Sequence, residues 1–384
     1  MIYFDNAATS WPKPAAVPQA MTAFLEQVGA NPGRSGHRLS VTAARTIYDT
    51  RQALADLFNA PDPMRVVFGH NITEALNLAL RGLLHPGDHV ITSSMEHNSV
   101  MRPLRWLEQQ GVALSVLPCS PQGFLDPDDI EAAIRPHTKL IVLNHASNVA
   151  GGLLPVAEAG RIARQHGLLL LVDTAQTAGA YPINMQQDNI DLLAFTGHKS
   201  LYGPTGTGGL IFGERVVAEG ILPLHLGGTG SRSEAEFQPD FLPDRFESGT
   251  PNAVGLAGLL AALHWLQDKS VDAIRQHETT LARQLISGLQ QIPGVILFGG
   301  QDASRQTATV SFNIASLEPS TVGQRLDAEY GILCRVGLHC APAAHRTLGT
   351  FPDGTVRFGM GAFNTIEEVH QALQAVEHLA GEVK

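Results

Sequence analysis

The sequence predicts an α/β fold: a large domain on a mainly parallel seven-stranded sheet, joined to a smaller α+β domain. Three observations carry that prediction. Short apolar, β-rich runs alternate with helical patterns between residues 65 and 212, and such alternation builds a parallel sheet covered on both faces. One run, Leu168-Leu-Leu-Leu-Val-Asp173, is apolar up to its last residue, as a strand buried on both sides must be. After Thr250 the pattern changes to long helices followed by short, spaced strands.

In chain order, the predicted strands of the large sheet are Arg65–Phe68, His89–Thr92, Ala113–Leu117, Leu140–Asn144, Leu168–Asp173, Leu192–Thr196 and Gly209–Phe212. Helical stretches Glu74–Leu84, Val100–Gln110, Pro127–Ile134 and Val156–His166 fall between them. An Ala/Leu-rich helix over Val254–Leu266 leads into a second over Val271–Gln290. Strands at Val295–Phe298, Thr309–Ile314, Ile332–Val336 and Val356–Gly359 follow, and an amphipathic helix covers Ile366–Leu379. The large domain is expected to span residues 15–255. The small domain takes 256–384 and reclaims the N-terminal arm, 1–14.

Composition narrows the function classes. At 384 residues and 44% hydrophobic, the chain has material for two cores. A formal net charge of −10 with no basic block argues against a nucleic-acid partner. Three cysteines give no disulfide framework, and a reducing cytoplasm is the expected location. No run reaches membrane-spanning length, and the first residues carry no signal-peptide pattern.

The chemistry concentrates at Asp191-Leu-Leu-Ala-Phe-Thr-Gly-His-Lys199, where a lysine closes an apolar strand. Such a lysine either snorkels to solvent or is held with a lowered pKa as a Schiff-base former. The preceding strand ends in Asp173, at the sheet edge where α/β folds bind ligands. Pyridoxal phosphate needs a lysine for its aldehyde, a carboxylate for its ring nitrogen and a cradle for its phosphate. Asp173 and Lys199 supply the first two from consecutive strands.

The chain resembles the class V aminotransferases, and within them the cysteine desulfurases of the short-loop kind, on the branch shared with selenocysteine lyases. Eight motifs carry the resemblance. They begin at Tyr3-Phe-Asp-Asn-Ala-Ala-Thr9, Met95-Glu-His-Asn98, Asn148-Val-Ala-Gly-Gly152 and Val172-Asp-Thr-Ala-Gln176. They continue through Thr196-Gly-His-Lys199, Arg245-Phe-Glu-Ser-Gly-Thr-Pro-Asn252, Arg335-Val-Gly-Leu-His-Cys-Ala-Pro342 and Arg357-Phe-Gly-Met-Gly-Ala-Phe-Asn364. The resemblance implies the fold type I architecture of pyridoxal phosphate transferases.

It also implies roles. Lys199 would hold the cofactor aldehyde and move the substrate α-proton, and Asp173 would pair with the ring nitrogen. Gln176 and Asn148 would flank the phenolic oxygen, and His97 would stack on the ring as an acid–base group. The phosphate would rest on the helix start at Ile72 and Thr73, where free N–H groups favour an anion, with Thr196 and His198 beside it. The family often has Gly-Thr where Asn71-Ile72 stands here, which removes one hydroxyl. Thr250 would reach the phosphate of a neighbouring subunit, so a homodimer with shared sites is implied. Arg357 would grip the substrate carboxylate, with Asn6 and His37 among the substrate contacts.

Cys340 decides among activities. Its setting, Gly337-Leu-His-Cys-Ala-Pro-Ala-Ala-His-Arg346, reads as a flexible connection between small-domain strands. A thiolate that attacks a substrate sulfur needs such access, and His339 and His345 are expected to acidify it. Cys119 and Cys334 read instead as small buried hydrophobes. The leading expectation is an L-cysteine desulfurase that leaves a persulfide on Cys340 for a protein acceptor. The alternatives are a selenocysteine lyase or cysteine sulfinate desulfinase on the same scaffold, or a class V aminotransferase in which Cys340 is incidental.

Overall fold

The structure, a computed structural model, describes residues 1–33 and 36–382. Its elements in chain order begin with β1 (Ile2–Tyr3), α1 (Ala16–Gln27), α2 (Arg38–Phe58), β2 (Val66–Gly69), α3 (Ile72–Leu83) and β3 (His89–Ser93). Then come α4 (Asn98–Gln109), β4 (Ala113–Leu117), α5 (Pro127–Ala132), β5 (Thr138–Asn144), α6 (Val156–Gln165), β6 (Leu169–Asp173), β7 (Leu192–Thr196) and β8 (Gly208–Phe212). The last part holds α7 (Ala253–Lys269), α8 (Val271–Gln291), β9 (Val295–Phe298), β10 (Thr309–Ile314) and α9 (Pro319–Tyr330). It ends with β11 (Ile332–Leu333), β12 (Arg335–Gly337), α10 (Pro342–Thr347), β13 (Thr355–Gly359) and α11 (Ile366–Gly381).

The expected large sheet is present, in the order β2-β8-β7-β6-β5-β3-β4. Only β8 runs against its neighbours; the other pairs are parallel. Leu170, Leu171 and Val172 of β6 and all of β7 are buried, which explains their unbroken apolar sequence. Register sets Asn144 beside Asp173, and Asp173 beside Ala194. The carboxyl ends of β5, β6 and β7 therefore meet along one edge.

The smaller antiparallel sheet runs β12-β13-β10-β9, and β1 pairs with β11 beside it. Its core joins Ile2 and Phe4 to Leu281, Leu285, Phe312, Phe358 and Leu379. The sequence placed the domain boundary at 255/256, but packing puts α7 with the large unit. α7 is apolar around most of its circumference, so it is buried rather than amphipathic. Leu256, Leu259, Leu263 and Leu266 lie in the same core as Phe24, Leu54 and Phe58 of α1 and α2.

Two further readings need correction. The strand expected over Ile332–Val336 breaks at Cys334, because β11 pairs with β1 while β12 pairs with β13. The Cys340 segment is not a free connection: it turns directly into α10, where Ala344 and His345 are buried. Residues 16–27 and 38–58 carry no strong sequence signature yet form two helices. α2 buries Ala43, Ile47, Leu54 and Phe58 on one face, and its Thr and Val residues are overridden by that packing.

One glycine positions the site. Gly179 has φ +88°, and a Cβ there would lie 2.2 Å from the Ser200 carbonyl oxygen. This close approach seats the turn after Asp173 against the segment after Lys199. Gly167 also has positive φ (+70°) but nothing within 4 Å of a Cβ. Gly167→Ala should therefore lose only about 1 kcal/mol of backbone strain. Gly179→Ala adds a backbone clash and should lose about 2–4 kcal/mol. Thermal unfolding of the two variants checks this; equal losses of midpoint would contradict it.

Candidate active site

A cavity of about 320 Å3 opens at the shared strand edge, within the size range of small-molecule sites, roughly 300–1,000 Å3. Its walls include nine residues expected from sequence: Ile72, Thr73, His97, Asn148, Asp173, Gln176, Thr196, His198 and Lys199. They also include Ser99, Asn144, Ala146 and Ala175, which sequence reasoning missed. The Ser99 signal lay in the Met-Glu-His-Asn-Ser run, which opens a helix.

One end of the cavity is built for an anion. α3 starts two residues before the predicted Glu74, with Asn71 as its cap accepting from the Glu74 N–H. The Ile72 and Thr73 N–H groups find no protein acceptor among the described residues. The Thr73 hydroxyl pairs with Ser99 Oγ at 2.8 Å. Thr196 Oγ1 is buried with no partner among the described residues. Asp173 is the one carboxylate in the wall.

The other groups are set by burial. Asp173 accepts from the Ala175 N–H through Oδ1, and burial raises its pKa. Burial lowers the Lys199 pKa to about 8, against the opposing pull of the Asp173 charge. His97 caps α4, with Nδ1 accepting from the Ser99 N–H at 3.0 Å. That bond assigns the ring proton to Nε2. Burial, helped by the Lys199 and Arg102 charges, lowers its pKa to about 4, so His97 is neutral at pH 7. Glu96, unpredicted, lies fully buried beneath, accepting from Ser93 Oγ and the Asn144 N–H. It ties the ends of β3 and β5 together.

The N-terminal motif reaches this site from behind. Ser10 Oγ donates to the Lys199 carbonyl at 2.7 Å, and Lys13 Nζ to that of His198 at 2.7 Å. Gln176 Nε2 donates to the Ala7 carbonyl at 3.1 Å.

Cys340 lies outside the cavity, in an adjoining groove that shares Thr73, His97 and Ser99 with it. It is exposed. His339 and Cys340 both take left-handed backbone angles, φ +47° and +58°, a conformation that costs non-glycine residues energy. Two bonds hold the turn: Asn148 Nδ2 donates to the His339 carbonyl, and the Asn98 N–H donates to that of Cys340. The expectation that His339 and His345 acidify the thiol is corrected. Both are buried and bonded to threonines 355 and 350, and burial lowers both pKa values well below 7. Neither supplies a positive charge.

Besides Cys340, four expected residues fall outside the cavity wall. Arg357 is buried behind Asn148, with Nη2 on Asp5 Oδ1 and Nη1 on the Asn148 carbonyl. Asn6 is buried in a protein hydrogen-bond network. Its amide donates to Tyr3, Gly359 and Asn364, and its oxygen accepts from the Trp11 N–H. His37 is exposed and caps α2 through the Ser40 N–H. Thr250 is exposed in a separate cleft of about 460 Å3 with Gly69 and Glu74.

Comparison with known proteins decides the family. The Aminotransferase class-V profile matches residues 2–372. The chain belongs to the class V aminotransferase family. Among its curated relatives in that family is a probable cysteine desulfurase of Methanothermobacter thermautotrophicus. The two are 34% identical over 99% of this chain and 95% of the relative. The cysteine desulfurase CsdA of Escherichia coli is 35% identical over 98% of this chain and 93% of its own. Among solved structures, the apo cysteine desulfurase of Thermococcus onnurineus superposes with a TM-score of 0.93 at 34% identity, covering 99% and 95% of the two chains.

Enzymes of this class V family use pyridoxal phosphate. The residues fit that group: an amine and a carboxylate share one cavity, whose far end offers free N–H groups, hydroxyls and an unpartnered Thr196 Oγ1. The nucleophile's readiness can be measured in the apoprotein. At a pKa near 8, about one Lys199 in ten is neutral at pH 7, against fewer than about one in a thousand for an ordinary lysine. Competitive acetylation read by peptide mass spectrometry should give Lys199 a midpoint near pH 8. Asp173→Asn should move it lower, since the carboxylate stabilises the ammonium. A midpoint near 10, or an upward shift in the variant, would contradict this account.

Proposed function

We propose that this chain is an L-cysteine desulfurase that binds pyridoxal phosphate in the Lys199 cavity and takes the substrate sulfur on Cys340. The carrying observation is the placement of the thiol. Cys340 is exposed on a strained turn, one shared wall away from the Lys199–Asp173 cavity. When bound, the cofactor withdraws electrons from the substrate and makes its Cα proton acidic.

The chain's own residues do the rest. Asp173 holds a proton on the ring nitrogen, and the Ile72–Thr73 helix start, Thr196 and His198 hold the phosphate. Lys199, neutral in part near pH 7, takes and returns the proton at Cα. Gln176 and Asn148 contact the ring's oxygen side. Arg357 tethers the Asn148 carbonyl, and gripping a substrate carboxylate requires exchanging its Asp5 partner for that group. His97 carries its proton on Nε2, in the wall between the cavity and the thiol, and is placed to pass protons there. Cys340 attacks the substrate Sγ: an S–S bond forms and the Cβ–Sγ bond breaks. The bonding pair ends on the carbon that becomes the alanine methyl. Thiol plus cysteine thus gives persulfide plus alanine with no outside reductant.

The same reading makes the active unit a dimer. Thr250 lies outside its own cavity. Leu222, Leu226 and Phe237, in the segment leading to it, are exposed apolar residues, with Phe237 88% exposed. Such residues suit a subunit interface that brings Thr250 to a partner's phosphate cradle.

Cys340→Ala should retain its cofactor absorbance and thermal midpoint but lose alanine formation from L-cysteine by about a hundredfold or more. Selenocysteine should still be cleaved, because selenium leaves more readily. Cys119→Ala and Cys334→Ala should keep wild-type turnover, since burial raises both thiol pKa values, to about 12 for Cys334. Wild-type alanine release by Cys340→Ala would refute the proposal.

A further inference from the structure

A persulfide on Cys340 must be collected, and the surface beside it has a definite chemistry. The groove that holds Cys340 measures about 580 Å3 and runs between α3 and α4. Thr73, Asn77 and Arg81 line one side and Asn98, Arg102 and Trp106 the other. Each set is spaced four residues apart, so each forms one helical face. The inner end holds Cys340, whose carbonyl accepts from the Asn98 N–H. The outer end holds Arg81 stacked over Trp106, 4.9 Å from the ring centroid, with Trp106 46% exposed.

The charge of this groove opposes that of the molecule. The chain carries a formal net charge of −10, yet the groove walls contain two guanidinium groups and no carboxylate. Arg81 and Arg102 are exposed and form no ion pair among the described residues. Eight residues of helix span about 12 Å, the length of three or four residues of extended chain.

We propose that this groove docks an acidic segment of a protein sulfur acceptor, presenting its thiol at Cys340 and its carboxylates about two residues away at Arg102 and about four away at Arg81. Trp106 serves as the apolar floor on which that segment lies. The proposal rests on the desulfurase reading for its purpose, but its geometry is independent of turnover. In the transfer itself, the acceptor thiolate attacks the outer sulfur of the Cys340 persulfide. A new S–S bond forms on the acceptor, and Cys340 leaves as the thiolate.

The test uses two fluorescein-labelled ten-residue peptides with serine at the acceptor position. One carries glutamates two and four residues from the serine, the other lysines. Binding to the holoenzyme is read by anisotropy at low salt. The acidic peptide should bind and the lysine peptide should not. R81E/R102E should weaken the acidic peptide about tenfold or more and gain the lysine one. Trp106→Ala should weaken the acidic peptide without changing the charge preference. Alanine formation with dithiothreitol as acceptor should be unchanged in Arg81→Glu and Trp106→Ala, which lie at the outer end of the groove. Equal binding of the two peptides, absence of binding, or undiminished acidic binding by R81E/R102E would overturn the docking proposal. Loss of dithiothreitol-supported alanine formation in the wild type would instead strike the desulfurase reading.

Discussion

Asp173 and Lys199 share one desolvated cavity with little else to satisfy them, and the surrounding structure depends on keeping them there. Burial pushes the two groups in opposite directions, raising the carboxyl pKa and lowering that of the amine, while each charge favours the other. A protein interior tolerates such groups only where each charge is paired or hydrogen-bonded. The register of β5, β6 and β7 delivers both groups to one edge. The N-terminal arm then fastens the Lys199 segment through Ser10 and Lys13. Glu96 and Gly179 fix the neighbouring strand ends and turns. The large sheet acts as a rigid frame for two side chains.

The thiol is held differently. Cys340 sits between β12 of the small sheet and α10, on a left-handed turn bonded to Asn148 and Asn98, and α10 with its flanking residues packs Ala341, Ala344 and Leu348 into the large core. Those two bonds, with the packing of α10, fix the thiol beside the large core. Arg357 contributes to the same junction by joining Asp5 to the Asn148 carbonyl. Release of either bond to the turn would let its strained backbone relax and the thiol swing. This gives physical content to the mobility that attack on a substrate sulfur requires.

The parts of this arrangement legible in the sequence are those written in local pattern. The apolar strands, the residues that end them, and the helix start at Ile72–Thr73 all follow from periodicity and capping. Lys199 and Asp173 stood out because polar residues at the end of buried strands are expensive. What was not legible depends on distant packing. α1 and α2 lack a strong signature because their stability comes from contact with α7. Proximity in sequence suggested that His339 and His345 would act on Cys340, but both rings turn into the core. The bonds that hold Arg357 and Asn6 in place, to Asp5, Gly359 and Asn364, are likewise long-range and invisible to motif reading. The groove face of α4 was present as a four-residue spacing, Asn98-Arg102-Trp106, but only the neighbouring face of α3 gives it meaning.

The central claim is that sulfur from L-cysteine passes to one thiol, Cys340. The most direct measurement is peptide mass spectrometry of the holoenzyme after brief exposure to L-cysteine without added reductant. The account predicts one added sulfur atom on the peptide containing Cys340, appearing together with an equal amount of alanine. Alanine formation with that peptide unchanged, or sulfur found instead on Cys119 or Cys334, would contradict it.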